Sequence, residues 1–131
     1  MNVAELEMLE QQGWEIASHT RNHTKLSELN TATVEENLRQ SYLDLDASGL
    51  DIAVLVYPYG AYNEIVLGQV GTYYDAAFAG GYKLNTAEAD IYALNRYNIS
   101  NGHSFEDYIA VLDQAIARGD WLIWAVHTGY D

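Results

Sequence analysis

Two histidines of this chain are spaced so that they can bind one cation. His19 and His23 are separated by three residues. On a helical turn this spacing puts both imidazoles on one face, about 5–6 Å apart at Cβ, so that two ring nitrogens can share a metal ion. Zinc peptidases with this spacing carry a glutamate directly after the first histidine as general base, whereas Thr20 stands there in this chain. The spacing therefore indicates a metal pair of another enzyme class; loop histidines that hydrogen-bond to their neighbours are the alternative.

Three further residues are suited to proton transfer and to the binding of negative charge. His127 follows the apolar segment 121–126, and we interpret it as a general acid because imidazole titrates near neutral pH; a core histidine bonded to a backbone carbonyl is the alternative. Tyr57-Pro58-Tyr59-Gly60 is a predicted tight turn that can aim the backbone N–H of Tyr59 at a developing oxyanion. Arg96 lies in an extended segment, where its fork of donors can orient a buried carboxylate.

Alternating helices and strands must position these groups. The apolar periodicity and the capping residues predict helices over 3–12, 33–48, 63–70 and 104–118, and strands over 14–17, 52–56, 75–79, 94–99 and 121–126. Such alternation predicts an α/β fold with a largely parallel sheet, whose chemistry lies at the carboxyl ends of the strands. Because the three histidines and Tyr59 all follow predicted strands, we expect them to converge on one rim.

Length and composition exclude several classes of protein. The 131 residues correspond to one domain and carry a formal net charge of −13, so neither nucleic acid nor an anionic membrane surface is expected as a partner. The chain has no cysteine, which excludes disulfides, zinc ribbons and thiol catalysis. No apolar run approaches the about 20 residues that span a bilayer, and no signal peptide is recognised.

Four segments resemble, in order, the motifs of one enzyme family. Ser18-His19-Thr20-Arg21-Asn22-His23 resembles the H-(S/T)-x-x-H metal motif of the polysaccharide deacetylases, which are carbohydrate esterase family 4 or NodB-homology domains. Tyr57-Pro58-Tyr59-Gly60 resembles the third motif in its Y-P-Y-G variant, and Arg96-Tyr97-Asn98-Ile99 resembles the fourth-motif region of one subgroup. Ala125-Val126-His127 is similar to the fifth motif, L-x-H, with alanine in place of leucine.

The resemblance implies a fold, a cofactor and a reaction. It implies a distorted (β/α) barrel of about seven parallel strands, one divalent metal, usually Zn²⁺, and hydrolysis of N-acetyl groups on polymers of N-acetylglucosamine. His19 and His23 would be the metal ligands, and His127 would protonate the leaving amine. The backbone N–H of Tyr59 would help to hold the oxyanion, and Arg96 would orient an acidic partner. The expected partner is an N-acetylated polysaccharide or oligosaccharide, and the family implies an extracellular or cell-envelope location.

The first motif of that family, a T-F-D-D-G-like strand end, has no counterpart in this chain. It supplies the base aspartate and an aspartate ligand, and we expect it upstream of Met1, so that residues 1–131 form one deacetylase-like domain truncated at both ends, a partial (β/α)7-type barrel. Loss of a general base typically costs about 10²–10⁴-fold in rate; Asp75, Asp90 and Asp131 are candidate substitutes.

Two alternatives to a deacetylase stay open. One is a non-catalytic metal- or carbohydrate-binding remnant of the fold, and the other is an α/β domain whose histidines are structural. Because an open barrel leaves sheet edges uncovered, we also expect a homo-oligomer formed through them.

Overall fold

The computed structural model describes residues 2–127, which fold into short parallel strands and four helices. The helices are α1 (Val3–Gln11), α2 (Thr31–Asp46), α3 (Glu64–Val70) and α4 (Phe105–Arg118). The strands are β1 (Val54–Val56), β2 (Ala76–Phe78), β3 (Tyr97–Asn98) and β4 (Trp124–Ala125). Single 3-10 turns cover Leu26–Glu28 and Pro58–Gly60. All four predicted helices are therefore confirmed, with ends shifted by one or two residues.

Each helix begins at a polar side chain that satisfies an otherwise free amide of the first turn. The capping oxygens belong to Asn2, Asn30, Asn63 and Ser104, and each accepts from the backbone N–H three residues later. The start of α2 precedes the prediction by two residues because Asn30, and not Thr33, is the cap. Gly119, with φ of 69°, ends α4 in the left-handed conformation that glycine adopts at little cost.

Consecutive extended segments of the chain are neighbours in space and run parallel. Residue Ser18 bridges to Leu55 of β1, β1 pairs with β2, and Phe78 of β2 bridges to Leu94. The second pair, β3 with β4, is also parallel. The predicted parallel α/β arrangement is thereby confirmed, whereas the (β/α)7-type barrel is not seen within residues 2–127, where the strands form two separate pairs.

The predicted strands are longer than the observed ones, and the predicted strand 14–17 is wrong. Only Ser18 pairs there: its N–H donates to the Val54 carbonyl and its carbonyl accepts from the Val56 N–H, both at 2.8 Å. Trp14 is 65 % exposed. The last predicted strand, 121–126, shrinks to β4, and Trp121 and Val126 are exposed. An apolar run predicts burial, but a ladder also requires a neighbouring backbone with free donors and acceptors. The homo-oligomer that we expect to form through uncovered sheet edges stays a prediction.

The core lies between α2, α3 and the β1–β2 pair. Its fully buried members include Val34 and Leu38 of α2, Leu55 of β1, and Val66 and Val70 of α3. This core fixes the carboxyl end of β1 against the helices, and it thereby sets the position of the turn that follows at residues 57–60.

Asn85 is a buried polar side chain that ties the irregular segment 82–92 to the strand region around β3. Its Nδ2 donates to the Asn95 carbonyl at 2.9 Å, and its Oδ1 accepts from the Asn95 N–H at 2.7 Å. Its backbone also exchanges both hydrogen bonds with Trp121. The Asn85 side chain therefore makes the pair of backbone hydrogen bonds that a neighbouring strand would make, at the residue directly before Arg96.

We expect Asn85→Ala to lower the free energy of unfolding by about 2–3 kcal/mol, because it leaves the half-buried N–H and carbonyl of Asn95 without a hydrogen-bond partner. Chemical denaturation measures the loss. Asn101→Ala, at an exposed turn asparagine, is the matched control and is expected to change stability by less than about 0.5 kcal/mol. Equal losses in the two variants would contradict a structural role of the Asn85 amide.

Candidate functional site

A cavity of about 740 Å³ opens where the carboxyl ends of the parallel segments meet. Its wall includes all five residues that the sequence singles out: His19, His23, Tyr59, Arg96 and His127. They come from four segments: the histidine pair follows Ser18, Tyr59 follows β1, His127 follows β4, and Arg96 lies between Leu94 and β3. The expected convergence on one rim is therefore present in the structure; the chemical role of each residue is a separate question.

His19 and His23 are neighbours, but not on a helical turn. Their ring centroids are 4.9 Å apart, with the planes inclined at 65°. The segment between them is an irregular loop in which Thr20 and His23 have φ of 65° and 52°. The Oγ1 of Thr20 accepts from the N–H of Thr24 at 3.1 Å, which closes the loop. The predicted helical turn is thus wrong, and two left-handed residues bring the rings together instead.

The hydrogen bonding of His19 fixes which ring nitrogen is free. Its Nδ1 lies 2.6 Å from the carbonyl oxygen of Val56. Since a carbonyl can only accept, Nδ1 carries the proton and Nε2 keeps its lone pair in the neutral ring. Burial lowers the pKa of His19; the bond to Val56 opposes that shift, and the nearby charges of His23, Arg96 and His127 add to it. The ring is therefore held in its neutral form.

A neutral imidazole that donates one N–H to a backbone carbonyl is the usual state of a histidine that ligates a metal. His19 meets this condition, and His23 lies close enough to share an ion with it. Zinc sites have at least three protein ligands, whereas no group of three or more histidine, aspartate or glutamate residues suited to an ion occurs within residues 2–127. The two histidines therefore fit part of a metal site.

Two of the three substitutes considered for the missing carboxylate do not line the cavity. Asp75 and Asp90 are not part of its wall. Asp131 lies outside the described residues, as do residues 128–130. Within the described part of the chain, the cavity wall contains no aspartate or glutamate at all.

Tyr59 occupies a strained position at the mouth of the cavity. Its φ of 60° and ψ of 9° lie in the left-handed region, which is uncommon for residues other than glycine. The turn is held by the Gly60 N–H bond to Tyr57 and by the Tyr57 N–H bond to Phe78. The ring of Tyr59 is 72 % exposed and lies edge-on to His23, with centroids 4.9 Å apart. The sequence predicts a role for the backbone N–H of Tyr59, but no sequence pattern predicts the contact of its ring with His23.

The backbones of two glycines, Gly60 and Gly80, pass close to each other at the wall of the cavity. No sequence pattern predicts this contact. Gly60 follows the strained tyrosine, and Gly80 follows β2. A Cβ on Gly60 would stand 2.2 Å from the backbone nitrogen of Gly80. The backbones can approach this closely only because both residues lack side chains.

Arg96 is half-buried in the cavity wall. Its Nε donates to the carbonyl of Ala79 at 2.9 Å, which anchors the side chain. Burial lowers the pKa of Arg96 below its ordinary value, yet a guanidinium keeps its charge at neutral pH. Among residues 2–127 its partner is this carbonyl, and no carboxylate pairs with it. The cavity therefore holds a fixed positive charge beside the histidines.

A buried cluster of hydroxyls secures the backbone that leads into the histidine loop. The hydroxyl of Tyr74 lies 3.1 Å from the Oγ of Ser18 and 2.8 Å from the Oγ of Ser41. Ser18 precedes His19, and Ser41 lies on α2. The position of His19 is thus tied both to β1, through the backbone of Ser18, and to a helix on the outer side of the fold.

Comparison with known proteins gives consistent likenesses. The family model described as polysaccharide deacetylase matches residues 1–74. A Streptococcus pyogenes deacetylase, PplD, solved in complex with acetate, is 21 % identical with a TM-score of 0.71; the match covers 84 % of this chain and 50 % of that one. A de-N-acetylase from Aggregatibacter actinomycetemcomitans is 21 % identical with a TM-score of 0.70, over 84 % of this chain and 52 % of its own.

A family 4 carbohydrate esterase from Streptomyces lividans, in complex with acetate, is 16 % identical with a TM-score of 0.60, over 95 % of this chain and 58 % of its own. This chain thus spans about half the length of these structures, and at such identities the likeness shows a shared fold. No curated protein matches the chain. Within residues 2–127, no helix has the length and apolar character needed to cross a bilayer.

Proposed function

Since this chain belongs to the polysaccharide deacetylase family, we propose that its histidine cavity serves the hydrolytic removal of acetyl groups from the amino sugars of a polysaccharide. The observation that carries the proposal is the meeting of His19, His23, Arg96 and His127 at one cavity. Two solved relatives of similar fold were captured with acetate, the expected product of such a reaction. A third is a de-N-acetylase, which supports an amide rather than an ester as the bond that is cleaved.

His19 and His23 are the residues that would hold a divalent metal, for which Zn²⁺ is the first choice because zinc favours imidazole nitrogen. When bound, such an ion polarises an acetyl carbonyl and makes water a better nucleophile. The residues of this chain supply two ligands, so we expect weaker binding than at a site with three or four.

The remaining residues have separate tasks in the proposed hydrolysis. Water adds to the acetyl carbon, the bond between that carbon and the sugar nitrogen breaks, and acetate and a free amine leave. We assign to the imidazolium of His127 the transfer of a proton to the departing nitrogen. The backbone N–H of Tyr59 donates to the carbonyl oxygen as charge develops there. Arg96 is a positioning residue whose charge orients anionic groups in the cavity.

A second candidate function is a module that binds metal or carbohydrate without turnover. It is favoured by one observation: the cavity wall within residues 2–127 has no carboxylate to act as a base. The two functions make the same prediction for ligand binding and opposite ones for the release of acetate. We also propose that the protein acts at the cell envelope or outside the cell, as the family resemblance implies.

The test is acetate release from N-acetylglucosamine oligomers in the presence of Zn²⁺, with O-acetylated xylan as the comparison substrate. We expect release from the amide substrate, and we expect His127→Asn to reduce it by about 10²–10⁴-fold. Asn101→Ala, at an exposed residue outside the cavity, is the control and is expected to keep full activity. Oligomer binding without acetate release would establish the binding module, and release from xylan alone would contradict cleavage of an amide.

A further inference from the structure

A second cavity, of about 400 Å³, lies on the opposite face of β3 from the histidine cavity. Tyr97 lines the second cavity and its neighbour Asn98 lines the first. Successive residues of a strand point to opposite faces, so the two spaces are separated by the strand itself. The second cavity lies between β3, the first turns of α4 and the segment after Gly81, and it takes no part in the function proposed above.

Four aromatic rings of the cavity wall, together with Trp124 behind them, form a closed circuit of neighbouring rings. The centroids of Tyr82 and Tyr97 are 5.6 Å apart, those of Tyr97 and Trp124 6.0 Å, and those of Trp124 and Tyr108 5.5 Å. His103 completes the circuit, at 5.9 Å from Tyr108 and 5.5 Å from Tyr82. We refer to these five residues as the aromatic cage. Every adjacent pair is inclined by 50° or more, so no two neighbouring rings stack flat.

The dimensions of the aromatic cage suit a cation. Neighbouring centroids are 5.5–6.0 Å apart, a spacing that allows one cation to lie within the ~6 Å over which a ring face attracts a positive charge for several rings at once. Tyr82 is 50 % exposed, and His103 is exposed as well, so the cage is open to solvent. Its far side is fixed in advance, because the hydroxyl of Tyr108 bonds both the N–H and the carbonyl of Ser100.

The charge at the aromatic cage is negative. Asp107 lines the cavity, and one of its oxygens accepts from the Ser104 N–H at 2.8 Å. That bond holds the pKa of Asp107 below its usual range, so the carboxylate is ionised at neutral pH. No lysine or arginine lines the cavity among the described residues. The formal net charge of −13 adds a long-range attraction for cations.

We propose that the aromatic cage binds a small organic ammonium ion, with its alkyl groups against the rings and its charge toward Asp107. A neutral sugar is a poorer fit, because most of the cavity surface is apolar and the hydroxyl of Tyr108 is already occupied. Two sources share this chemistry: a quaternary ammonium such as choline, and a protonated amino sugar.

The charge requirement is tested with choline and its uncharged isostere 3,3-dimethylbutan-1-ol. Binding is followed by saturation-transfer NMR at about pH 8, where imidazoles are ordinarily neutral. We expect choline to bind about tenfold more tightly than the alcohol, as a partly desolvated cation–π site implies. Equal affinity for the two compounds, or no binding of choline, would overturn the proposal.

Variants distinguish choline binding at the aromatic cage from unspecific attraction of choline to an acidic protein. Tyr82→Leu removes one wall and is expected to weaken choline binding several-fold, whereas Tyr82→Phe keeps the ring and the affinity. Asp107→Asn keeps an acceptor for the Ser104 N–H while it removes the charge, and it too is expected to weaken binding. Tyr62→Leu, outside the aromatic cage, is the control. If Asp107→Asn and a folded Tyr82→Leu both bind choline as the unaltered protein does, the site is not the cage.

Glucosamine and N-acetylglucosamine, compared with choline at about pH 7 so that most of the sugar amine is protonated, identify the source of the ammonium group. Glucosamine binding that matches choline, with no binding of the acetylated sugar, assigns the site to amino sugars. Choline binding alone assigns it to quaternary ammonium ions. Equal binding of both sugars would contradict recognition of a charge. None of these readouts depends on metal or on acetate release, so they stand whether or not the proposed hydrolysis is found.

Discussion

Replacement of His19 by alanine is expected to weaken the binding of Zn²⁺ by more than about 100-fold, since loss of a mere outer-shell partner already costs 10–100-fold. His19 is the better placed of the two proposed ligands, because its Nδ1 bond to Val56 directs the free nitrogen away from the backbone and its pKa is lowered by burial. Metal content after equilibrium dialysis, with a competing chelator of known affinity, measures the change.

The matched control for His19→Ala is the same substitution at His103. That histidine is exposed and lies outside the cavity, so zinc binding should be unchanged. Circular dichroism shows whether both variants keep their helices. If the unaltered protein holds far less than one equivalent of zinc, and His19→Ala holds the same amount, the histidines are structural and the metal-dependent proposal fails.

Gly60→Ala is expected to destabilise the fold by about 3 kcal/mol or more, from a left-handed alanine and a clash with backbone that cannot rotate away. A Cβ here would lie 2.2 Å from the nitrogen and 2.4 Å from the Cα of Gly80. Relief requires the turn at residues 57–60 to move away from the segment after β2. The same movement displaces Tyr59 and opens the cavity wall.

Gly119→Ala measures the cost of a left-handed alanine without the steric clash that is expected at Gly60. Gly119 has φ of 69°, close to the 63° of Gly60, but a Cβ there meets nothing within 4 Å. Urea denaturation should therefore show a loss of about 1 kcal/mol at Gly119, and a clearly larger one at Gly60. Comparable losses would mean that the crossing of the two glycines has no energetic weight.

The fold class and the helices follow from local signals that the sequence displays openly. Ser104 with Asp107 marks the start of α4, and Gly119 marks its end. The strands are less predictable, because pairing depends on partners distant in the chain. Residues 14–17 are apolar enough for a strand, but β1 offers its free groups only to Ser18. Local pattern therefore gives the order of elements, and tertiary context decides where pairing occurs.

The identity of the site residues was predictable, and its geometry was not. The three histidines and Tyr59 follow predicted strands, which is enough to expect them on one rim, whereas Arg96 is singled out by its place inside an extended segment. The loop that joins His19 to His23 uses left-handed residues of ordinary type, and no sequence pattern signals such backbone. The crossing of Gly60 with Gly80 and the aromatic cage depend on contacts between segments far apart in the chain, which periodicity and spacing cannot report.

The hydroxyl cluster of Tyr74, Ser18 and Ser41 gives the histidine loop an anchor outside the cavity. None of these three residues lines the histidine cavity, so they can be substituted without changing a residue of its wall. If His19 holds the proposed ion, a small shift of α2, for example through the packing around Ser41, would change the position of that ligand. For protein engineering, residues of α2 that do not line the histidine cavity are therefore positions at which the histidine loop can be altered indirectly.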